Sequence, residues 1–185
     1  MDEACRDSRV IHTIGHSTRT IETFCALLEA HTIDRVIDVR RWPASRRHPQ
    51  FAREALMRAL ASRGLEYVWR QDLGGFRSAR PDSANTGWRN KSFRAYADFM
   101  STPDFEAAIG ALELDAGARR IAVMCAEAVP WRCHRQLLAD AFTVRGWRVR
   151  HIMDDGCHLH GLTPFARTTG VRIHYGEPDF FAGGP

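Results

Sequence analysis

The sequence predicts an α/β fold: one three-layer domain over residues 1–185 with a mostly parallel sheet of about five strands, Rossmann-like or flavodoxin-like. Two observations carry this. Short apolar runs alternate with amphipathic helical segments from residue 10 to about residue 152, the order that winds strands into a parallel sheet with helices on both faces. A length of 185 residues with 44% hydrophobic and 26% charged side chains is that of one globular domain, burying roughly 70% of its unfolded surface without metal or disulfide staples.

Val10 to Ile14 is the first strand, ending in Gly15-His16-Ser17-Thr18-Arg19. Thr20 is placed to cap a helix whose Ile21, Phe24, Cys25 and Leu28 recur on one face. Arg35 to Val39 forms the second strand, apolar enough to be buried on both sides. A helix follows from about Ala52 to Arg63, stopped by Gly64, and Leu65 to Trp69 gives the third strand. Residues 76–91 are read as a long basic loop. Phe93, Tyr96, Ala97 and Met100 mark the next helix, and Thr102-Pro103-Asp104 caps another that carries Phe105, Ala108, Ile109 and Leu112. The fourth strand is Ile121 to Met124, followed by a helix predicted from about Trp131 to Arg145 behind Pro130. Trp147 to Ile152 is the fifth strand. Residues 154–185 are expected to form an irregular tail with at most one strand, near Val171 to Tyr175.

In such a sheet ligands sit beyond the carboxyl ends of the strands. Those ends gather His16 and Ser17; Asp38, Arg40, Arg46, Arg47 and His48; Asp72, Gly74 and Gly75; Cys125, Glu127, Arg132, His134 and Arg135; and Asp154. Arg132, His134 and Arg135 fall near the predicted helix start, the positive end of its dipole, where cations are unfavourable. An anion there would compensate, so the turn reads as an anion site. Of the 26 cationic residues only Lys91 is a lysine, and arginine forks suit phosphates and carboxylates.

Several of these stretches together resemble a known bacterial family. Thr13-Ile-Gly-His-Ser17, Ile37-Asp-Val-Arg40, Ser45-Arg-Arg-His-Pro-Gln-Phe51, Leu73-Gly-Gly75 and Met124-Cys-Ala-Glu127 with Cys133-His-Arg135 are similar to the family catalogued as domain of unknown function 488. The resemblance runs from about residue 10 to the Thr163-Pro-Phe-Ala166 stretch. It implies an α/β fold and one shared signature at the strand ends, and it assigns no activity.

The residues leave several chemistries open. Glu127 and Asp38 could act as nucleophile and acid/base, with His16 as a proton donor, in a hydrolase or glycosyl-transfer reaction. Each could equally just pair with arginine. Cys125 could be a loop thiolate of a phosphatase or sulfurtransferase, but Pro130 removes a backbone donor from the Cys125-to-Arg132 loop. A buried structural cysteine is the plainer reading. No metal and no cofactor is expected: Cys133 and His134, adjacent on a helix, should point apart, and the Cys157-His-Leu-His160 run lacks paired spacing. Basic runs interleaved with Trp42 and Trp88 suit a phosphate with a stacked base.

The expected function is therefore an enzyme on a phosphate-bearing substrate, a small nucleotide or nucleic acid, bound by Ser17, Arg40, Arg46, Arg47, Gly74, Gly75, Arg132, His134 and Arg135. The rival class is a non-catalytic nucleic-acid-binding module. Five scattered cysteines and the want of an apolar leader or membrane-length run point to a cytoplasmic protein with no membrane partner.

Overall fold

The computed structural model describes residues 9–44, 46–78 and 80–176; Cys5 and Ser45 lie outside them. The elements run β1 (Val10–Gly15), α1 (Ile21–Ala30), β2 (Arg35–Asp38), α2 (Arg53–Ala61), β3 (Glu66–Trp69), α3 (Lys91–Phe99), α4 (Pro103–Ala118), β4 (Ile121–Cys125), α5 (Arg135–Val144), β5 (Arg148–Met153), β6 (Gly156–Leu159), β7 (Ala166–Thr169) and β8 (Arg172–Tyr175). The main sheet has six strands in the order β3-β2-β4-β1-β5-β6. All neighbours are parallel except β6, which returns antiparallel to β5. This is the predicted α/β class, a mostly parallel sheet with helices on both faces.

Strand β4 is central because its sequence has no polar side chain to expose: Ile121 to Cys125 are all buried. Side chains alternate along a strand, and the core divides accordingly. Ile121, Val123 and Cys125 pack with α3, α4 and α5. Ala122 and Met124 pack with Phe24, Cys25 and Leu28 of α1 and Leu56 and Leu60 of α2. Register then sets the site: Gly15 lies beside Cys125, and Asp38 beside Met124. Three strands therefore end level at one edge.

Local signals fix the helices on the first face and in the crossover. Thr20 accepts from the Thr23 N–H at 3.2 Å and Thr102 from the Phe105 N–H at 3.3 Å, each satisfying an otherwise orphan helix donor.

Two expectations are corrected. The helix predicted from Trp131 starts only at Arg135. Pro130–Arg132 make a single 3-10 turn, and Cys133 then leaves helical geometry at φ −136°, ψ 150°. Proline opens the turn as expected, but burial of Cys133 in the core pulls the chain off the helical path. The tail is also more ordered than predicted, with β6 joining the sheet and β7–β8 forming a hairpin.

That hairpin is tied to α5 by Asp140, which is fully buried. Its carboxylate accepts from His160 Nε2 (2.9 Å), the Thr163 N–H (2.9 Å), the Thr163 hydroxyl (2.7 Å) and the Tyr175 hydroxyl (2.8 Å). The carboxylate fixes the tautomers behind it. His160 Nδ1 accepts from His151 Nε2 at 3.0 Å, and His151 Nδ1 from the Thr13 hydroxyl at 2.7 Å. A buried carboxylate is tolerable only with such full pairing.

Candidate functional site

Beyond the carboxyl ends of β1, β2, β3 and β4 lies an open cleft of about 980 Å³. His16, Ser17 and Thr18 line it after β1, and Arg40, Arg41, Trp42, Arg46, Arg47 and His48 after β2. Gly75 and Phe76 come from beyond β3, and Cys125, Glu127 and His134 from beyond β4. His16, Ser17, Arg40, Arg46, Arg47, Gly75, Cys125, Glu127 and His134 of the predicted strand-end set thus line one concavity.

The junction of β1 and β4 is built by close backbone approach. The His16 N–H donates to the Cys125 carbonyl (3.0 Å) and the Ser17 N–H to the Ala126 carbonyl (2.8 Å). A Cβ at Gly15 would lie 1.7 Å from the Glu127 carbonyl oxygen, so only glycine fits there. Ser17 sits in the left-handed region at φ 48°, a strain of about 1 kcal/mol or more that tends to collect at functional sites.

Asp38 lies under the cleft floor, fully buried. Its carboxylate accepts from Arg40 Nε (2.9 Å to Oδ1), Arg40 Nη2 (2.6 Å to Oδ2) and the Tyr67 hydroxyl (2.7 Å to Oδ2). Burial works against the charge on Arg40, but Asp38 outweighs it and raises the guanidinium pKa. Tyr67 is held neutral, by burial first and then by the neighbouring Asp38 charge. On its other side Arg40 Nη1 donates to His16 Nε2 at 3.3 Å, while His16 Nδ1 donates to the Ser17 carbonyl at 3.0 Å. The His16 ring stacks on Phe51 with centroids 4.3 Å apart. Burial first, and then Arg40 against the opposing Ser17 bond, lower its pKa to about 4. His16 is thus a neutral imidazole with both nitrogens engaged.

Glu127 is exposed at the cleft, and its carboxylate makes no hydrogen bond or ion pair among the described residues. Arg41, Arg46 and Arg47 also line the cleft with no carboxylate partner among them. Trp42 and Phe76 stand at the same cleft 60% and 69% exposed, with ring centroids 5.3 Å apart. Exposed aromatic surface rimmed by polar groups is the kind that marks a ligand- or partner-binding face.

Other predicted site residues fall elsewhere. Arg135 is buried, and its Nη2 donates to the carbonyls of Glu127 and, at 3.3 Å, Ala128. It holds the loop instead of meeting an anion. Arg132 is exposed on the 3-10 turn, outside the cleft lining. The helix-start anion site therefore does not form as predicted, because the helix begins three residues later than Arg132. Gly74 packs against Arg41 behind the lining, and a Cβ there would meet its Cα at 3.1 Å. Asp72 pairs with Arg70 and Asp154 with Arg19, both at 2.7 Å. Trp88 packs against Phe93, Phe165 and Tyr175, away from the cleft lining.

Sequence reasoning missed Phe76 and Tyr67. Phe76 follows a double glycine with no apolar periodicity, which was the available sign of exposure. It also set Cys133 and His134 pointing apart. Because they precede the helix, Cys133 Sγ lies 3.6 Å from His134 Nδ1, and Cys125 Sγ lies 4.0 Å from the same nitrogen. The hydrogen bond to Cys133, then burial, pushes the Cys125 thiol pKa well up, which speaks against Cys125 as a free thiolate nucleophile.

Among the described residues no helix is long and apolar enough to cross a membrane. Comparison with curated proteins and with solved structures gave no match. The family model described as Domain of unknown function DUF488 matches residues 20–142, a span holding every cleft residue named above except His16, Ser17 and Thr18, and the chain belongs to that family.

Proposed function

We propose that this chain is an enzyme acting on a phosphate-bearing substrate of nucleotide character, bound in the cleft beyond β1 to β4. One observation carries the reading: three guanidinium groups without carboxylate partners among the described residues, Arg41, Arg46 and Arg47, frame a cleft that also holds the exposed Trp42–Phe76 pair. Unneutralised arginine attracts phosphate, and flat aromatic faces stack bases. Arg40 supplies a fixed cation at the floor, oriented from below by Asp38 and from the side by His16. Asp38 and His16 act in this reading as positioning residues, since neither has a free atom to exchange a proton with substrate.

Glu127 is the reactive group. It is the carboxylate at the cleft without a partner among the described residues, so it can take a proton from an attacking water or hydroxyl. The alternative of a non-catalytic nucleic-acid-binding module uses the same basic rim and has no use for Glu127. The free thiols of Cys25, Cys125, Cys133 and Cys157 fit a reducing, cytoplasmic setting.

The test titrates inorganic phosphate, nucleoside monophosphates and a short single strand against the wild type and an Arg46→Ala/Arg47→Ala variant, reading thermal stability. A saturable rise, larger for the nucleotide and lost in the variant, supports the reading. A response to nucleic acid alone, unchanged in Glu127→Gln and without turnover, would favour the binding module.

A further inference from the structure

We propose that Cys125, Cys133 and His134 form a binding site for a borderline-soft divalent cation, Zn2+ by preference, in the wall of the cleft. The three ligand atoms lie within 4.8 Å of one another. Two thiols and one imidazole are the donors that select zinc over hard cations. A tetrahedral zinc with bonds of about 2.3 Å to sulfur and about 2.05 Å to nitrogen sets its S···N edges at about 3.6 Å. The Sγ atoms of Cys133 and Cys125 stand 3.6 and 4.0 Å from His134 Nδ1. On these two edges the ligands need move by only a few tenths of an ångström to close on the ion.

The surroundings are arranged for such a trio. Cys125 ends β4 and Cys133 sits in the extended step between the 3-10 turn and α5, so two separate backbones fix the sulfurs. His134 is pressed by Gly75, where a Cβ would lie 2.4 Å from Nδ1; only glycine leaves the ring in place. The buried Arg135 guanidinium beside the loop offsets the negative charge that two thiolates bring. Three protein ligands leave the fourth tetrahedral position for water or substrate, the pattern of catalytic zinc sites.

Cys125 and His134 line the same cleft as Glu127. Resting on the reading given under the proposed function, a bound zinc would lower the pKa of a water in its fourth position. Glu127 would accept the proton from that water, leaving hydroxide as the attacking group, so the reaction class is hydrolysis. Deaminases acting on nucleobases also set a glutamate that is not a ligand beside a His/Cys/Cys zinc. The likeness is one of chemistry alone.

A second trio, His12, His31 and Cys157, also gathers within 4.8 Å, with Arg120 and Arg150 repelling charge there. It serves as the internal control. The experiment adds Co2+ to reduced, metal-free full-length chain and follows the thiolate-to-cobalt absorption in the near ultraviolet, with competition by Zn2+. One equivalent is expected to bind. The band should fall by roughly half in Cys133→Ser and weaken in His134→Gln, while affinity drops tenfold or more in both; Cys157→Ser should leave it unchanged. Absence of a band in the wild type, or a band lost in Cys157→Ser and kept in Cys133→Ser, overturns the proposal. Circular dichroism of each variant identifies any that fail to fold, and zinc competition against a chromogenic chelator on the wild type then decides. The phosphate titration on metal-free chain is read separately: it fails if the anion reading fails and survives if only the metal site fails.

Discussion

Arg40 clasps Asp38, two residues before it, through its own backbone N–H at 3.0 Å and through its guanidinium at 2.6 to 3.1 Å. Both side chains are almost wholly out of solvent, 6% exposed for Arg40 and 0% for Asp38. A pair so buried contributes little net, but removal of one member strands the other. Asp38→Asn is therefore expected to cost about 3–5 kcal/mol in urea unfolding, and Tyr67→Phe about 1–3 kcal/mol because the buried Asp38 Oδ2 loses a donor. An Asp38→Asn chain as stable as wild type would show that the clasp is not the floor of the site.

Glu127 gives the opposite result in folding. An exposed carboxylate with no partner contributes nothing that glutamine cannot replace, so Glu127→Gln should stay within about 0.5 kcal/mol of wild-type stability. Turnover on any substrate found by a nucleotide screen should nonetheless fall about a hundredfold or more, the size of an acid–base contribution. Unfolding curves and steady-state rates measured on the same preparation separate the two.

Acid should weaken the fold through its buried histidines. Burial holds His12 and His16 at about 4 and His151 at about 3, whereas an unfolded chain takes up these protons near pH 6.5. Between those values the unfolded state binds more protons, so stability drops as pH falls from about 6.5 to about 4, and acidification below that adds less. Each group contributes a slope of about 1.4 kcal/mol per pH unit inside the window. Urea midpoints at pH 7, 6 and 5 check this, and a flat profile over that range would contradict neutral burial of the three rings.

Two glycines should respond in opposite directions. Gly15→Ala drives a methyl into the Glu127 carbonyl and should cost more than about 2 kcal/mol or disorder the cleft loop. Gly110 is inside α4 with nothing within 4 Å of its would-be Cβ. Gly110→Ala should stabilise by about 0.5–1 kcal/mol. Thermal melts of the two variants side by side provide the comparison.

Much of this architecture was legible in the sequence. Periodicity at Ile21, Phe24, Cys25 and Leu28, the Thr20 and Thr102 caps and the apolar run of β4 each act within a few residues, and each element formed where the pattern placed it. The convergence of His16, Arg40, Gly75, Cys125 and Glu127 followed from strand-end positions alone. What the sequence hid depended on contacts across the chain. Helix periodicity continues back through Trp131, yet burial of Cys133 against β4 overrides it and turns Cys133 and His134 toward Cys125. From sequence Asp38 reads equally as a catalytic group or as an arginine partner, because nothing local announces that Tyr67, 29 residues on, closes over it. Trp42 and Trp88 have similar basic neighbours, and it is packing by Phe93, Phe165 and Tyr175 that covers Trp88, the last two of them distant in sequence.

The tie at Asp140 bears on how the family's span should be handled at the bench. The matched region ends at residue 142, two positions past this carboxylate, yet its donors His160, Thr163 and Tyr175 all come later. A fragment trimmed to the matched boundary would retain the acid and discard every group that neutralises or solvates it within the protein. It would also uncover the apolar side of α5. The alignment boundary is therefore no autonomous folding unit in this chain, and expression work must carry the sequence through Tyr175.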